Sequence, residues 1–259
     1  MLVMLPPSEA KTSPRRGRPV DVDALSFPAL APVRRKVVDA LAEVSGRPDA
    51  LELLGVGASL ADEVARNTVL HQGTAGPARH VYTGVLYGAA GLDRLTPTGR
   101  ARAAEHVRII SGLWGVVTPE DVVPAYRLSM GTDLPGIGPL AAAWRGPLAE
   151  VLDPQADGQL VVDCRSAAYL AAWTPPRSAD WVTVRVEREL DGVRSVVSHH
   201  AKHTRGVLTR HLLTRRGRVP ADAEHLARVA AELVGDELLA VELAPRKGRG
   251  ARVLSLVVA

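Results

Sequence analysis

Short runs of β-branched and apolar residues alternate along this chain with stretches whose apolar residues recur at helical spacing. That alternation limits the fold more than any single motif does. "MLVMLPP" at the start reads as a buried strand ended by two prolines, which cannot continue a ladder. "APVRRKVVDALAEVSG" places Val33, Val37, Val38, Leu41 and Val44 on one helical face and stops at Gly46. "GRARAAEHVRIISGLWGVV" begins helical and turns β-like at Ile109, and "GQLVVDCRSAAYLAAW" runs from a buried strand into a helix. "WVTVRVERELDGVRSVVS" is the clearest hairpin, with Asp191-Gly192 supplying the positive φ angles of its turn. "AKHTRGVLTRHLLTRR" and "ADAEHLARVAAELVG" read as helices, and "LLAVEL" with "RVLSLVV" as a final strand pair. The pattern predicts an α+β chain, one compact domain over residues 1–259 with a mixed β-sheet covered by helices. At 259 residues and 46% hydrophobic content, the chain can bury one substantial core.

Composition narrows the function. No run approaches the ~20 apolar residues of a membrane span, and no basic stretch precedes a signal-like core, so the expectation is a cytoplasmic protein with no membrane partner. The single cysteine, Cys164, excludes a disulfide framework and a Cys-rich zinc site, and agrees with a reducing compartment. Its net charge is only +4, and arginine outnumbers lysine 28 to 4. Where so arginine-rich a chain keeps Lys11 and Lys202, a compact or titratable amine is a candidate requirement, because arginine stays protonated.

Two stretches spell a helix-hairpin-helix, in which glycines let backbone approach phosphate and helix-terminal amides donate to it. "LLGVGASLADEVARN" at 53–67 offers Gly55, Gly57, Ser59 and Arg66 in a hairpin element spanning about 50–68. The competing reading is a helical turn whose glycines relieve crowding. "TDLPGIGPLAAAW" at 132–144 matches the letters better but has no cation before Arg145 and no convincing first helix, so it reads as a plain turn into a packing helix.

His199 and His203 have the spacing of metal ligands on a helix, but His199 and His200 read as the end of a strand and no carboxylate or cysteine accompanies them. Neither a metal nor any other cofactor is expected. The same segment carries Lys202, Arg205 and Arg210, three cations near a helix start. "YTGVLYG" and "RIISGLWGVVTPEDVVPAYRLSMG" gather Tyr82, Thr83, Arg108, Ser111, Trp114, Tyr126 and Arg127 in a chain with only nine aromatics. Glycine, hydroxyl, ring and guanidinium together suit a concave ligand site. No nucleophile elbow, Walker loop or dinucleotide fingerprint occurs.

In order, "SEAKT", "VYTG", the long "RIISGLWGVVTPEDVVPAYRLSMG", "DCRSAAY" and "AKHTRG" resemble the blocks of the YaaA family of bacterial peroxide stress proteins. They run from residue 8 to residue 206. Departures occur at Glu9, Ala125, Asp163, Arg165, Ala167, Ala168, His203 and Thr204. The resemblance implies a YaaA-type mixed α and β fold with a helix-hairpin-helix-like element corresponding to 50–68 and a positively charged cleft. It also implies binding to duplex and branched DNA and a role in limiting iron-dependent peroxide damage. The chain lacks the paired Glu-x-x-His helices of di-iron bundles, so any effect on iron is expected to be indirect.

The leading reading is a monomeric stress protein binding DNA without strong sequence preference through Gly55, Gly57, Ser59 and Arg66. Its cleft is drawn from Ser8, Lys11, Tyr82, Thr83, Arg108, Ser111, Trp114, Tyr126, Arg127, Asp163, Ser166, Lys202 and Arg205, with Tyr82, Trp114 or Tyr126 stacking on a base. The alternative is an enzyme acting on a nucleotide ligand or damaged nucleobase. Lys11 or Lys202 would then be base or nucleophile and Asp163 would orient it.

Overall fold

The computed structural model describes residues 1–190, 193–196, 198–246, 248 and 250–259. The chain is a single compact α+β domain built on a mixed eight-stranded sheet. β1 (Leu2–Leu5) is central and wholly buried. A two-stranded ribbon pairs β2 (Ala75–Pro77) with β5 (Val122–Pro124). The main sheet takes in β3 (Val107–Ser111), β4 (Gly115–Val117), β8 (Leu160–Asp163), β9 (Asp180–Leu190), β10 (Val193–Val196), β11 (Ala240–Leu243) and β12 (Arg252–Val258). Its order is β11-β12-β9-β8-β1-β3-β4, with β10 pairing β9.

The five strands from β12 to β3 are parallel, and the three antiparallel pairings bring in β4, β10 and β11. Parallel strands are covered on both faces, which is why β1 and β8 read as continuous apolar runs instead of alternating ones. The expected final strand pair is β11 and β12, and the expected hairpin is β9 and β10, joined in register through Leu190 and Val193. The predicted Asp191-Gly192 turn itself lies outside the described residues.

Ten helices are described: α1 (Ala31–Ser45), α2 (Ala50–Leu53), α3 (Ala61–Arg66), α4 (Ala78–Val81), α5 (Val85–Ala90), α6 (Pro97–His106), α7 (Leu140–Ala156), α8 (Ala167–Leu170), α9 (Ser198–Thr214) and α10 (Ala223–Ala231). Local chemistry explains the better-defined starts. Thr96 caps α6 by accepting from the Gly99 amide at 3.2 Å, with Pro97 in the first turn. Asp222 caps α10 by accepting from the His225 amide at 2.7 Å, and Leu226, Val229 and Ala230 then turn into the core. The β run expected from Ile109 starts at Val107, because α6 passes into β3 without a loop.

One expectation needs correction, and one buried cation was not foreseen. His199 and His200 do not end a strand; they lie in the first turn of α9, and the His199 side chain is outside the described residues. Arg34, on the inner side of α1, is fully buried and donates to the carbonyls of Trp114 (3.0 Å), Ser26 (2.8 Å) and Val116 (2.7 Å). A guanidinium can sit there because its fork satisfies carbonyls that would otherwise be unpaired.

The better-spelled glycine hairpin is indeed a turn: β6 (Asp133–Leu134) and β7 (Gly138–Pro139) form a minimal ribbon that delivers α7 and its buried Trp144. Residues 50–66 instead form a helix, a turn and a second helix. Gly55 is left-handed (φ 63°) and closes α2, and a single 3-10 turn at Ala58–Leu60 leads into α3. Asn67, fully buried just after α3, ties this element to the rest. Its amide donates to Arg127 O at 2.9 Å and its oxygen accepts from Arg127 N at 2.9 Å.

Candidate functional site

Chain direction already marks one end of the sheet. From β1 the chain crosses to β3 on one side; from β8 it proceeds to β9 and on to β12 on the other. The reversal lies between β1 and β8, and in open parallel sheets the crevice beyond the carboxyl ends of such strands is where ligands bind. A cavity of about 510 Å³ lies there. Its walls come from the segment after β1 (Pro6 to Lys11) and from the segment after β8 (Cys164, Ser166, Ala168, Tyr169). The rim also carries Leu54, Gly55 and Val56 of the helical hairpin, together with Arg127, Lys202 and Arg205.

The loop after β1 is held by the strand-like segment around Tyr82. Lys11 and Tyr82 form an isolated antiparallel bridge, Thr12 N donates to Val81 O at 2.9 Å, and Thr83 N donates to Ala10 O at 3.2 Å. The Ser8 hydroxyl is buried between the carbonyls of Ala10 and Thr83. Two separate sequence blocks, "SEAKT" and "VYTG", are thus joined backbone to backbone, and Ser8 and Thr83 position the loop.

That loop holds Lys11 over a buried aromatic floor. Lys11 Nζ lies 4.3 Å from the Tyr126 ring centre and 5.7 Å from that of Tyr82. It donates to Ser8 O at 2.6 Å, with a longer contact of 3.5 Å to Glu9 O. Burial, and then the neighbouring Arg127 guanidinium, push its pKa down to about 7, against weaker opposing pulls from Glu63 and Glu9. Beneath it, Tyr82 Oη is 3.0 Å from Tyr126 Oη, which is 2.6 Å from Ser111 Oγ. Burial holds the Tyr82 and Tyr126 phenols well above their ordinary range, so the floor stays neutral.

Four cations, Lys11, Arg127, Lys202 and Arg205, line the cavity against one carboxylate residue, Glu9. Arg205 spends Nε and Nη2 on Val184 O at 3.1 and 2.8 Å. Arg127 reaches Glu63 Oε2 at 3.6 Å and Glu9 O at 3.4 Å. Lys202 is exposed and has no ion pair among the described residues. The surplus of positive charge suits an anionic ligand.

Of the predicted cleft residues, Ser8, Lys11, Arg127, Ser166, Lys202 and Arg205 converge here, with Thr83 behind the loop. Others do not. Tyr82, Trp114 and Tyr126 are 0–1% exposed and packed edge-on or through hydroxyls, so they cannot stack on an incoming base. Ser111 is buried under Tyr126 and also accepts from Trp114 N at 3.0 Å. Arg108 points elsewhere: it donates to Gln155 Oε1 at 3.0 Å and lies 5.7 Å from the Phe27 ring.

Asp163 is buried in a bidentate pair with Arg165 (2.8 and 2.6 Å) and accepts from Trp181 Nε1 at 3.1 Å, so it is not free to orient Lys11. Within the hairpin, Gly55, Gly57 and Ser59 are exposed and Arg66 is half-buried. The element also carries Glu52, Asp62 and Glu63, so Arg66 is outnumbered and positive charge comes from the cavity.

Tyr169, Tyr87 and Glu9 belong to the cavity but were not among the residues chosen from sequence. Tyr169 stood inside the "DCRSAAY" block, and its place directly after a buried strand was the available signal. Cys164 also touches the cavity, but burial pushes its thiol up to about 12, so it is an unreactive wall. Among the described residues, no group of three or more His, Cys, Asp or Glu could hold a metal ion, and no helix is long and apolar enough to cross a membrane.

The comparisons with known proteins agree with one another. A family model described as "Peroxide stress protein YaaA" matches residues 1–232. A UPF0246 protein of Streptomyces coelicolor is 44% identical over 252 residues, covering 96% of this chain and 95% of that protein. UPF0246 proteins of Corynebacterium efficiens (42% identical, 83% of this chain and 85% of that protein) and Corynebacterium glutamicum (40%, 81% and 84%) are also similar.

Proposed function

Because the chain belongs to the YaaA family of peroxide stress proteins, we propose that it binds DNA without strong sequence preference and thereby helps limit iron-dependent oxidative damage. The observation that carries this reading is the convergence of Lys11, Arg127, Lys202 and Arg205 on one cavity whose rim includes Gly55. Phosphates supply the charge such a surface attracts, and each neutralised phosphate releases counterions. The hairpin contributes exposed backbone at Gly55 and Gly57, with Ser59 and Arg66 further along, while the cavity takes one nucleotide unit. Duplex and branched DNA are the partners, and iron enters only as the source of the damage.

The test is fluorescence-anisotropy binding to duplex, single-stranded and branched DNA across a salt series. Binding should weaken linearly in log salt, and Lys202→Ala should lower the slope by about 1 while weakening all sequences alike. Salt-independent binding, or none at low salt, overturns the reading.

A second reading, enzymatic action on a nucleotide or damaged nucleobase, is favoured by Lys11, whose amine is half deprotonated near neutral pH inside a cavity. In that reading Lys11 touches the substrate, and Lys202 and Ser166 bind it.

A further inference from the structure

We propose that the Lys11 amine forms an imine with an aldehyde carried on a phosphate-bearing ligand in the cavity, such as the ring-opened sugar of an abasic site in DNA. The inference rests on the reading of the cavity as a site for a nucleic-acid unit and adds a covalent step to it.

Three observations point to carbonyl chemistry. First, the amine is held in place: Lys11 is bridged to Tyr82 through backbone, and its N–H groups are directed at Ser8 O and Glu9 O. With its amine anchored by the 2.6 Å bond to Ser8 O, the neutral form still keeps a lone pair for a carbonyl carbon. Second, among the described residues no carboxylate forms an ion pair with Lys11, and the neutral tyrosines beneath it offer no countercharge. Burial, and then Arg127 nearby, disfavour the ammonium, so a nucleophilic amine exists at neutral pH. Third, the surrounding groups divide the labour. Arg127, Lys202 and Arg205 provide cations for a flanking phosphate, and Pro6, Leu54, Leu86 and Tyr87 give a partly apolar lining that favours loss of water.

The step balances without a redox partner. The amine nitrogen bonds to the carbonyl carbon and the carbon–oxygen π bond opens. Both amine protons pass to that oxygen, which departs as water and leaves a carbon–nitrogen double bond.

The same chemistry could be presented by an abasic DNA strand or by a free aldose phosphate, and borohydride trapping separates them. The full-length protein is incubated with a labelled oligonucleotide bearing one abasic site, and in parallel with 2-deoxyribose 5-phosphate, each with cyanoborohydride. Binding to the same oligonucleotide is followed by anisotropy. The chain has only four lysines, so peptide mass mapping of the wild-type adduct assigns the site without any variant. We expect an adduct on Lys11, reduced about tenfold or more in Lys11→Arg, which places a permanent cation there that forms no imine under these conditions.

An adduct on another lysine overturns the proposal. So does DNA binding with no adduct, which leaves the binding reading intact. A Lys11 adduct with the free sugar phosphate but no DNA binding sustains the imine chemistry and removes the nucleic-acid reading. Failure of both arms removes both.

Discussion

Lys11 shows how much a single residue's chemistry depends on its surroundings. An exposed lysine is almost wholly ammonium at neutral pH; here burial and Arg127 bring its pKa from 10.5 to about 7. Between those values this lysine binds more protons in the unfolded chain than in the folded one, so its contribution to folding stability should rise as pH increases from about 7 to about 10.5. Thermal melts over that range should show wild type gaining stability relative to Lys11→Met as pH rises; parallel curves would contradict the depressed amine. Any imine yield should likewise climb as pH passes upward through about 7 and then level. The hairpin glycines make a second contrast at this scale. Gly55 sits at φ 63°, so Gly55→Ala should cost about 1 kcal/mol in urea denaturation. Gly57 is extended with open space around a Cβ, so Gly57→Ala should leave stability within about 0.5 kcal/mol. Any loss of DNA affinity in Gly57→Ala would therefore report backbone approach and not misfolding.

Between elements, the contact between α5 and α9 sets where Lys202 and Arg205 stand. Gly206 lies against α5 so closely that a Cβ would fall 2.3 Å from Leu86 O and 2.7 Å from Ala89 Cβ. Neither neighbour is the end of a flexible side chain, so α9 itself must shift. Gly206→Ala should destabilise by about 1–3 kcal/mol and weaken DNA binding together, read by chemical denaturation and anisotropy on the same sample. Most elements were legible beforehand because each carries its own period: α1 in its apolar face, β1 and β8 in continuous apolar runs, β9 with β10 in alternation about a turn signal. α5 was not, since "VLYGAA" is too short to show a helical period and its stability comes from α9. The boundary between α9 and the strand before it was misplaced for a related reason: "SVVSHH" satisfies β preference locally, while α9 begins at Ser198 and packs against α5 and β9.

For the whole molecule, the parallel sheet collects residues from distant blocks at one end, and this decides which candidates share a site. Ser8, Lys11 and Ser166 meet because β1 and β8 are neighbours whose chains leave in opposite directions, while Arg127, after β5, and Lys202 and Arg205, on α9, close the same cavity from other elements. Cys164 is placed at the same junction yet sealed into it, fully buried with its thiol pushed up to about 12. It should therefore stay reduced under peroxide and react with a thiol reagent only after denaturant opens the fold; modification of the native protein at the rate of a free thiol would show that this core opens readily.

The sequence by itself determined the class of fold, the identity of most elements and the family, because hydrophobic period, turn residues and ordered blocks are local properties of the chain. It also singled out Lys11 and Lys202 by the scarcity of lysine. Only the tertiary structure decided that Tyr82, Trp114 and Tyr126 form a sealed floor, that Arg108 serves α6 and α7, and that Asp163 is spent on Arg165. A side chain's freedom to meet a ligand depends on which distant groups already satisfy it. Those partners are chosen by strand order and helix packing, which no local pattern records.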